Sequence, residues 1–268
     1  MGLFDFFRFQ GSKNEIDEMI ETINTHTSTC RSVPIRSDII EAIREVPRKK
    51  FGGSYYDGPQ QIGHGQTISQ PFIVAMMTDL LQPRKNHRIL EVGTGSGYQA
   101  AILSKLVEEV YTVEKIRPLA EKTSELLSGK YLNIHCKVAD GFYGWEEHSP
   151  YDGIVVTAGA PGIPGPLAQQ LKPGGKLIIP IMNNADFEGV EIIESWRKVA
   201  GVDAQLMVVD KKEYGKDEEK RLPPADDNPK VDFKSEKSTK QCVIRVFDKF
   251  LYEIKPQFGV RFVPLTKY

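Results

Sequence analysis

Residues 89–98 read Ile89-Leu90-Glu91-Val92-Gly93-Thr94-Gly95-Ser96-Gly97-Tyr98, an apolar and β-branched run that passes into three alternating glycines and then into a helical pattern. A strand that ends in glycines and enters a helix lets the main chain approach a ligand closely, because glycine reaches backbone conformations closed to other residues and the helix start offers free N–H groups. Dinucleotide loops space their glycines Gly-x-Gly-x-x-Gly, whereas here the run is Gly-x-Gly-x-Gly, with Glu91 two residues before the first glycine. A carboxylate there would repel a pyrophosphate at close range and suits a cationic ligand that carries an amino group.

Downstream of this stretch, short β-branched runs alternate with helical segments. The pattern predicts strands at Arg88–Val92, Glu109–Val113, Ile134–Val138, Gly153–Thr157 and Lys176–Pro180, with helices at Tyr98–Leu106, Arg117–Leu127 and Pro164–Leu171. That alternation is the signature of a mostly parallel sheet covered on both faces, in which ligands sit beyond the C-terminal strand ends. Glu114 closes the second strand, where a carboxylate can accept hydrogen bonds from both hydroxyls of a ribose, and Asp140-Gly141 closes the third.

Upstream, Ile16, Met19, Ile20 and Ile23 follow the spacing of an amphipathic helix within Lys13–Asn24. A second helix takes Asp38 as N-cap, Ile39, Ile40 and Ile43 as its apolar face, and Pro47 as its stop. Phe51–Gly65, rich in Gly and Tyr, reads as a loop. Pro71 suits the first turn of a helix over Phe72–Leu81, which makes Ser69 a candidate cap.

The chain has 268 residues, 40% hydrophobic and 26% charged, and its 35 basic and 36 acidic residues give a formal net charge of −1. No general field attracts nucleic acid or an anionic membrane, and no apolar run approaches the ~18 residues of a membrane span. Cys30, Cys136 and Cys242 are odd in number and lack metal-like spacing, which fits reduced thiols in the cytoplasm. Asp5 and Arg8 among the first aromatics do not read as a signal peptide, and Phe6 stands where a myristoylation site wants Ser or Thr. In Lys211–Lys240 more than half the residues are charged, and Pro223, Pro224 and Pro229 punctuate them, so that span is expected to be mobile and replaceable by a short linker.

The three acids at successive strand ends, with the glycine run, resemble the class I S-adenosylmethionine-dependent methyltransferases. More specific are Asp57-Gly-Pro-Gln-Gln-Ile62-Gly-His-Gly-Gln-Thr67-Ile68-Ser69-Gln70-Pro71, Tyr151-Asp-Gly-Ile-Val-Val-Thr157-Ala-Gly-Ala-Pro161, Leu171-Lys-Pro-Gly-Gly-Lys-Leu-Ile-Ile-Pro180 and Val260-Arg261-Phe-Val-Pro-Leu265. In this order they resemble the protein-L-isoaspartate (D-aspartate) O-methyltransferase family, from about Pro34 to Ile181 and again from near Gln241. The resemblance implies an α/β, three-layer Rossmann-like fold with a mostly parallel central sheet and N-terminal helical additions. Residues 1–183 and 241–268 would form the methyltransferase domain: 1–87 as helices and cover, 88–183 as the cofactor-binding core, 241–268 as the final strands. Residues 184–240 would be a charged insertion.

It also implies transfer of a methyl group from S-adenosylmethionine, leaving S-adenosylhomocysteine, to the α-carboxylate of isoaspartyl and D-aspartyl residues in damaged proteins. Ser69 would be the active-site serine, orienting the acceptor rather than attacking. Cofactor contacts would come from Ile68, Gln70, Pro71, Glu91, Gly93, Gly95, Gly97, Glu114, Lys115, Asp140, Gly141 and Thr266, and substrate contacts from Ile62, Thr67, Val260 and Arg261. No metal, nucleic acid or membrane is expected to take part, and a cytoplasmic monomer is. Two rivals stay open: methylation of another carboxylate or small molecule, and a cofactor-binding adaptor with little turnover.

Overall fold

In the computed structural model, residues 3–182, 204–213, 242–246 and 250–260 are described. Helix α1 (Leu3–Cys30) and helix α2 (Ser37–Glu45) open the chain, and a 3-10 turn follows at Arg48–Phe51. α1 runs well beyond the amphipathic stretch legible in sequence, yet it buries the side chains expected of it, Met19, Ile20 and Ile23. α2 buries Ile39, Ala42 and Ile43 as expected, but Asp38 is not its cap. The helix starts two residues earlier, with Arg36 at the cap position and its N–H held by Asp79, and Asp38 instead pairs with the Arg36 side chain.

Part of the expected loop 51–65 is a hairpin. Strands β1 (Gln60–Gly63) and β2 (Gln66–Ile68) pair antiparallel around His64 and Gly65, both at positive φ (54° and 69°), as a two-residue turn with the right twist requires. Helix α3 (Pro71–Leu81) follows, and then the alternating part of the chain: β3 (Arg88–Val92), α4 (Tyr98–Leu103), β4 (Glu109–Glu114), α5 (Arg117–Leu127), β5 (Ile134–Val138), β6 (Tyr151–Val156), α6 (Gly165–Gln170) and β7 (Leu171–Met182). β8 (Ala204–Glu213), β9 (Cys242–Val246) and β10 (Phe250–Val260) complete one sheet in the order β5-β4-β3-β6-β7-β8-β10-β9. The first five strands of that order are parallel and the remainder join antiparallel, so the three-layer, mostly parallel architecture stands.

Successive strand residues face opposite layers. Ile89 packs into a core with α1–α4, whereas Leu90 and Val92 pack into a second core with Leu167 and Ala168 of α6. Glu91 therefore lies on the α3–α4 side of the sheet.

One boundary must be corrected. Ala204–Glu213 falls inside the span that composition assigns to a charged insertion, yet it is an interior strand between β7 and β10. Leu206, Met207, Val208 and Val209 are all buried, because a strand flanked on both sides has both faces covered. Lys211, which reads as the start of the charged run, is 4% exposed, and its Nζ donates to the main-chain oxygens of Ala168, Gln169 and Leu171 at 3.2, 3.3 and 2.7 Å. It thus adds a donor to carbonyls at the C-terminal end of α6, where a helix runs short of main-chain N–H groups. Residues 214–241 lie outside those described.

Replacing 214–240 with a Gly-Ser linker should leave a folded protein, whereas extending the replacement back to Lys211 should not. Lys211→Met alone should lower unfolding free energy by ~1.5–3 kcal/mol, the cost of stranding buried acceptors that a cation had satisfied. Urea denaturation followed by circular dichroism measures it, and an unchanged midpoint would show that water replaces the ammonium at no cost.

Candidate active site

The glycine loop crosses the C-terminal end of β3 with Gly93, Gly95 and Gly97 at φ of 99°, 52° and 83°. Gly93 N–H and Thr94 N–H both donate to Val113 O, at 2.9 and 3.2 Å, which lays the loop against the end of β4. Two hydroxyls pin it from either side. Thr157 Oγ1, just after β6, is 2.6 Å from Gly93 O and 3.0 Å from Val92 O, and Thr123 Oγ1 of α5 is 2.6 Å from Gly95 O. A Cβ added at Gly93 would sit 2.5 Å from Thr157 Oγ1, and one at Gly97 would sit 2.7 Å from Thr123 Cγ2, so these positions have neither the torsional freedom nor the room for a side chain.

Glu114, at the end of β4, receives Gly95 N–H on Oε2 at 3.0 Å and Ile116 N–H on Oε1 at 2.9 Å. The carboxylate is thereby aimed by two main-chain donors at the loop edge, and each oxygen keeps acceptor capacity for a ribose hydroxyl. Glu91 is placed differently. It is wholly buried, its Oε2 accepts from Thr112 Oγ1 at 2.6 Å, and that hydroxyl lies 2.7 Å from Thr94 Oγ1 on the loop. Its Oε1 has no partner among the described residues, and burial, more than the neighbouring Glu114, pushes the carboxyl up to about 8. At neutral pH Glu91 therefore keeps its proton, so it meets a cationic ligand as an anion only after that proton leaves.

Beyond β5, Asp140 accepts from Lys115 Nζ at 2.8 Å and from Phe142 N–H at 3.0 Å. Gly141 follows with Val92 Cγ1 only 2.3 Å from where its Cβ would be. The β1–β2 hairpin comes close to this group: a Cβ built on Gly95 would lie 3.6 Å from Ile62 Cδ1, so a residue expected on the substrate side lies beside the cofactor loop and occupies the space that a side chain there would need. A loop cleared of side chains, an orphaned buried acid beneath it and oriented acceptors at its rim fit an adenosyl cofactor that carries positive charge.

Ser69 follows β2 directly and is half-buried. It is not the cap of α3, because Gln70 holds that position and Asp57 does the capping from a distant loop. Asp57 Oδ1 accepts Phe72 N–H and Oδ2 accepts Gln70 Nε2, each at 2.8 Å, while His26 Nδ1 of α1 lies 2.8 Å from Oδ2. Ser69 Oγ is thereby left out of the helix cap. Ile68 and Pro71, expected at the cofactor, are buried, with Ile68 in the helical core, and Thr67 is half-buried beside them. Val260 ends β10 opposite Ala204, while Arg261 and Thr266 lie outside the described residues. Thr112, Thr123, Thr157, Asp57 and Arg48 shape the site without having been singled out, since a pinning hydroxyl looks like any other Thr in sequence. Among the described residues no group of three or more His, Cys, Asp or Glu could hold a metal, and no helix is long and apolar enough to cross a membrane.

The family model for protein-L-isoaspartate(D-aspartate) O-methyltransferase matches residues 18–213 and so includes β8. A protein-L-isoaspartate O-methyltransferase of Geobacter metallireducens is 52% identical over 155 residues, covering 55% of this chain and 72% of that protein. Protein-L-isoaspartate O-methyltransferase 2 of Nitrosococcus oceani is 48% identical over 182 residues, covering 65% and 75% respectively. A Plasmodium falciparum structure assigned to the same methyltransferases, in complex with S-adenosyl-L-homocysteine, superposes with a TM-score of 0.61 at 21% identity, covering 92% of this chain and 98% of that one, and so shares the fold.

Glu114→Gln should weaken S-adenosylmethionine binding by ~1.5–3 kcal/mol, because one accepting oxygen becomes a donor that faces either a main-chain N–H or a ribose hydroxyl. Titration calorimetry on the folded variant reads this, and unchanged affinity would remove Glu114 from the cofactor site. Glu91 yields a pH signature. Its folded value lies above its ordinary 4.5, so the stability that its neutral form supplies is complete below 4.5 and is lost as pH rises toward about 8. Wild type should therefore lose stability relative to Glu91→Gln across that window, and a gap that stays constant in urea melts from pH 4.5 to 8.5 would contradict it.

Proposed function

The chain belongs to the protein-L-isoaspartate(D-aspartate) O-methyltransferase family, and from that premise we propose that it methylates the free α-carboxylate of isoaspartyl residues in damaged proteins and peptides, using S-adenosylmethionine. The observation that carries this reading is the release of Ser69 from helix capping. Asp57 satisfies the start of α3, so the Ser69 hydroxyl is not needed there, and it follows a hairpin whose Ile62 lies near Gly95 of the glycine loop.

When bound, S-adenosylmethionine supplies an electrophilic methyl group on a sulfonium. Glu114 would hold the ribose and the Asp140–Gly141 turn the adenine edge, and Gly93, Gly95 and Gly97 would let the main chain close on the rest. The acceptor needs no general base, since a main-chain-type α-carboxyl has a pKa of ~3.5 and is ionised at neutral pH. Ser69 donates a hydrogen bond that orients one carboxylate oxygen, and Ile62, half-buried over Gly95, helps to exclude water from it. Orientation and loss of solvation are the contributions asked of the protein, and the His26–Asp57 pair is engaged at the start of α3. The reading extends to a monomer in the cytoplasm, the compartment being supported by an odd number of cysteines without metal-like spacing.

Paired peptides that differ only in Asp or isoAsp at one position decide the substrate: labelled methyl should pass to the isoAsp peptide alone, and equal labelling, or none, would favour another acceptor or an adaptor. Ser69→Ala should lower turnover by roughly ten- to a thousandfold with cofactor affinity nearly unchanged, the expected result of losing one oriented hydrogen bond in the transition state. Intact-protein mass measurement after rapid quench should find no adduct on Ser69.

A further inference from the structure

Arg48 is a fully buried guanidinium on the 3-10 turn that follows α2. A cation so placed is costly unless its donors are met. Those that are met converge on the active-site segment: Nη2 donates to Ser69 O at 2.8 Å and Nε to Ser54 O at 2.9 Å. Its Cζ stands 4.9 Å from the ring centre of Tyr98, the first residue of α4 directly behind the glycine loop. Gly53 lies hard against it, since a Cβ there would fall 2.8 Å from Nε and 3.1 Å from Cγ.

Satisfying two carbonyls does not by itself require a buried cation, since a smaller donor or a bridging water can do so. A buried, planar donor adds direction, which water does not. Arg48 fixes the carbonyl of the Ser69–Gln70 peptide, and Asp57 holds Gln70 through its side chain and Phe72 through its N–H. With Ile68 paired to Gln60 before it and these contacts after it, Ser69 Oγ keeps only rotation about χ1.

Resting on the reading of Ser69 as the residue that orients the acceptor, we propose that Arg48 is a positioning residue for methyl transfer: it fixes the Ser69 peptide so that the hydroxyl meets the acceptor carboxylate, and it ties that segment to the helix behind the cofactor loop.

The test is a double-mutant cycle on the full chain with an isoaspartyl peptide, using Ser69→Ala, Arg48→Met and the pair, and reading kcat, peptide KM and cofactor Kd. Arg48→Met should lower kcat by about ten- to a hundredfold while cofactor Kd stays within about twofold, and the pair should turn over within about threefold of the slower single variant, because both changes remove one interaction. Arg48→Lys, which keeps the charge and can reach one carbonyl, should recover part of the loss. If circular dichroism shows Arg48→Met to be unfolded, Gly53→Ala takes its place in the cycle, since it displaces the guanidinium without deleting it, and the same coupling is expected. Multiplicative losses in the double variant would overturn the positioning role while leaving Ser69 in its own. Wild-type turnover in Ser69→Ala would overturn both, and that single variant tells the two failures apart.

Discussion

Two main-chain N–H groups, those of Gly93 and Thr94, share the carbonyl of Val113, and the geometry of the site follows from that contact. To make it, the chain must turn sharply on leaving β3, which requires positive φ at Gly93 and leaves no space for a side chain beneath Thr157. The sheet order supplies the pins. Because β3 lies between β4 and β6, the ends of both neighbours flank the loop, so Glu114 reaches Gly95 from one side and Thr157 reaches Gly93 from the other. A strand order that separated β3 from either neighbour would leave the loop without one of its anchors. The point at which the strand order runs both ways is where such sheets bind ligands.

Signals that are local in the chain survived the passage from sequence to structure. The β3 glycine run, the acids that close β4 and β5, and the alternation of strands with helices each depend on a few adjacent residues, and each is found in place. What could not be read depends on partners far away. β8 has only four consecutive apolar residues before Asp210 and Lys211, and the reason that a lysine is buried there lies in the carbonyl groups of 168–171 on another element. Ser69 before Pro71 has the sequence of a helix cap, but an aspartate fifteen positions before Phe72 takes that task, and nothing in the local spacing announces it. Arg48 likewise belongs to a run of basic residues, Arg48, Lys49 and Lys50, of which Arg48 alone is buried.

Glu91 and Glu114 show how one residue type serves two ends in one site. Both terminate or nearly terminate adjacent strands, yet Glu114 is met by two main-chain donors at the rim, while Glu91 faces a core, keeps one oxygen unpaired and holds its proton to about 8. Like charges close together disfavour double ionisation, and Glu114 adds to the effect of burial on Glu91. The site then carries one anion where hydroxyl donors of a ribose arrive and a neutral acid beneath the loop. The Thr112 and Thr94 hydroxyls connect that acid to the loop, so a cation bound above would act on a polar chain already in place.

The capping of α3 by Asp57 raises an electrostatic question that the neighbouring residues answer. A carboxylate is a strong partner for the first N–H groups of a helix, but it also stands near the serine that is to receive an anionic acceptor, and two anions in a partly dry site repel. Arg48 is placed to offset it. Its guanidinium holds the Ser69 carbonyl, and Asp57 is among the charges that stabilise it in its buried position. The positive charge of Arg48 opposes the negative charge of Asp57 around the Ser69–Phe72 segment, so an ionised carboxylate arriving there does not meet an uncompensated anion. A serine that capped its own helix would have its oxygen drawn toward the helix start. Here Asp57 caps the helix from outside it and Arg48 holds the Ser69 carbonyl, so the hydroxyl is not drawn into the cap.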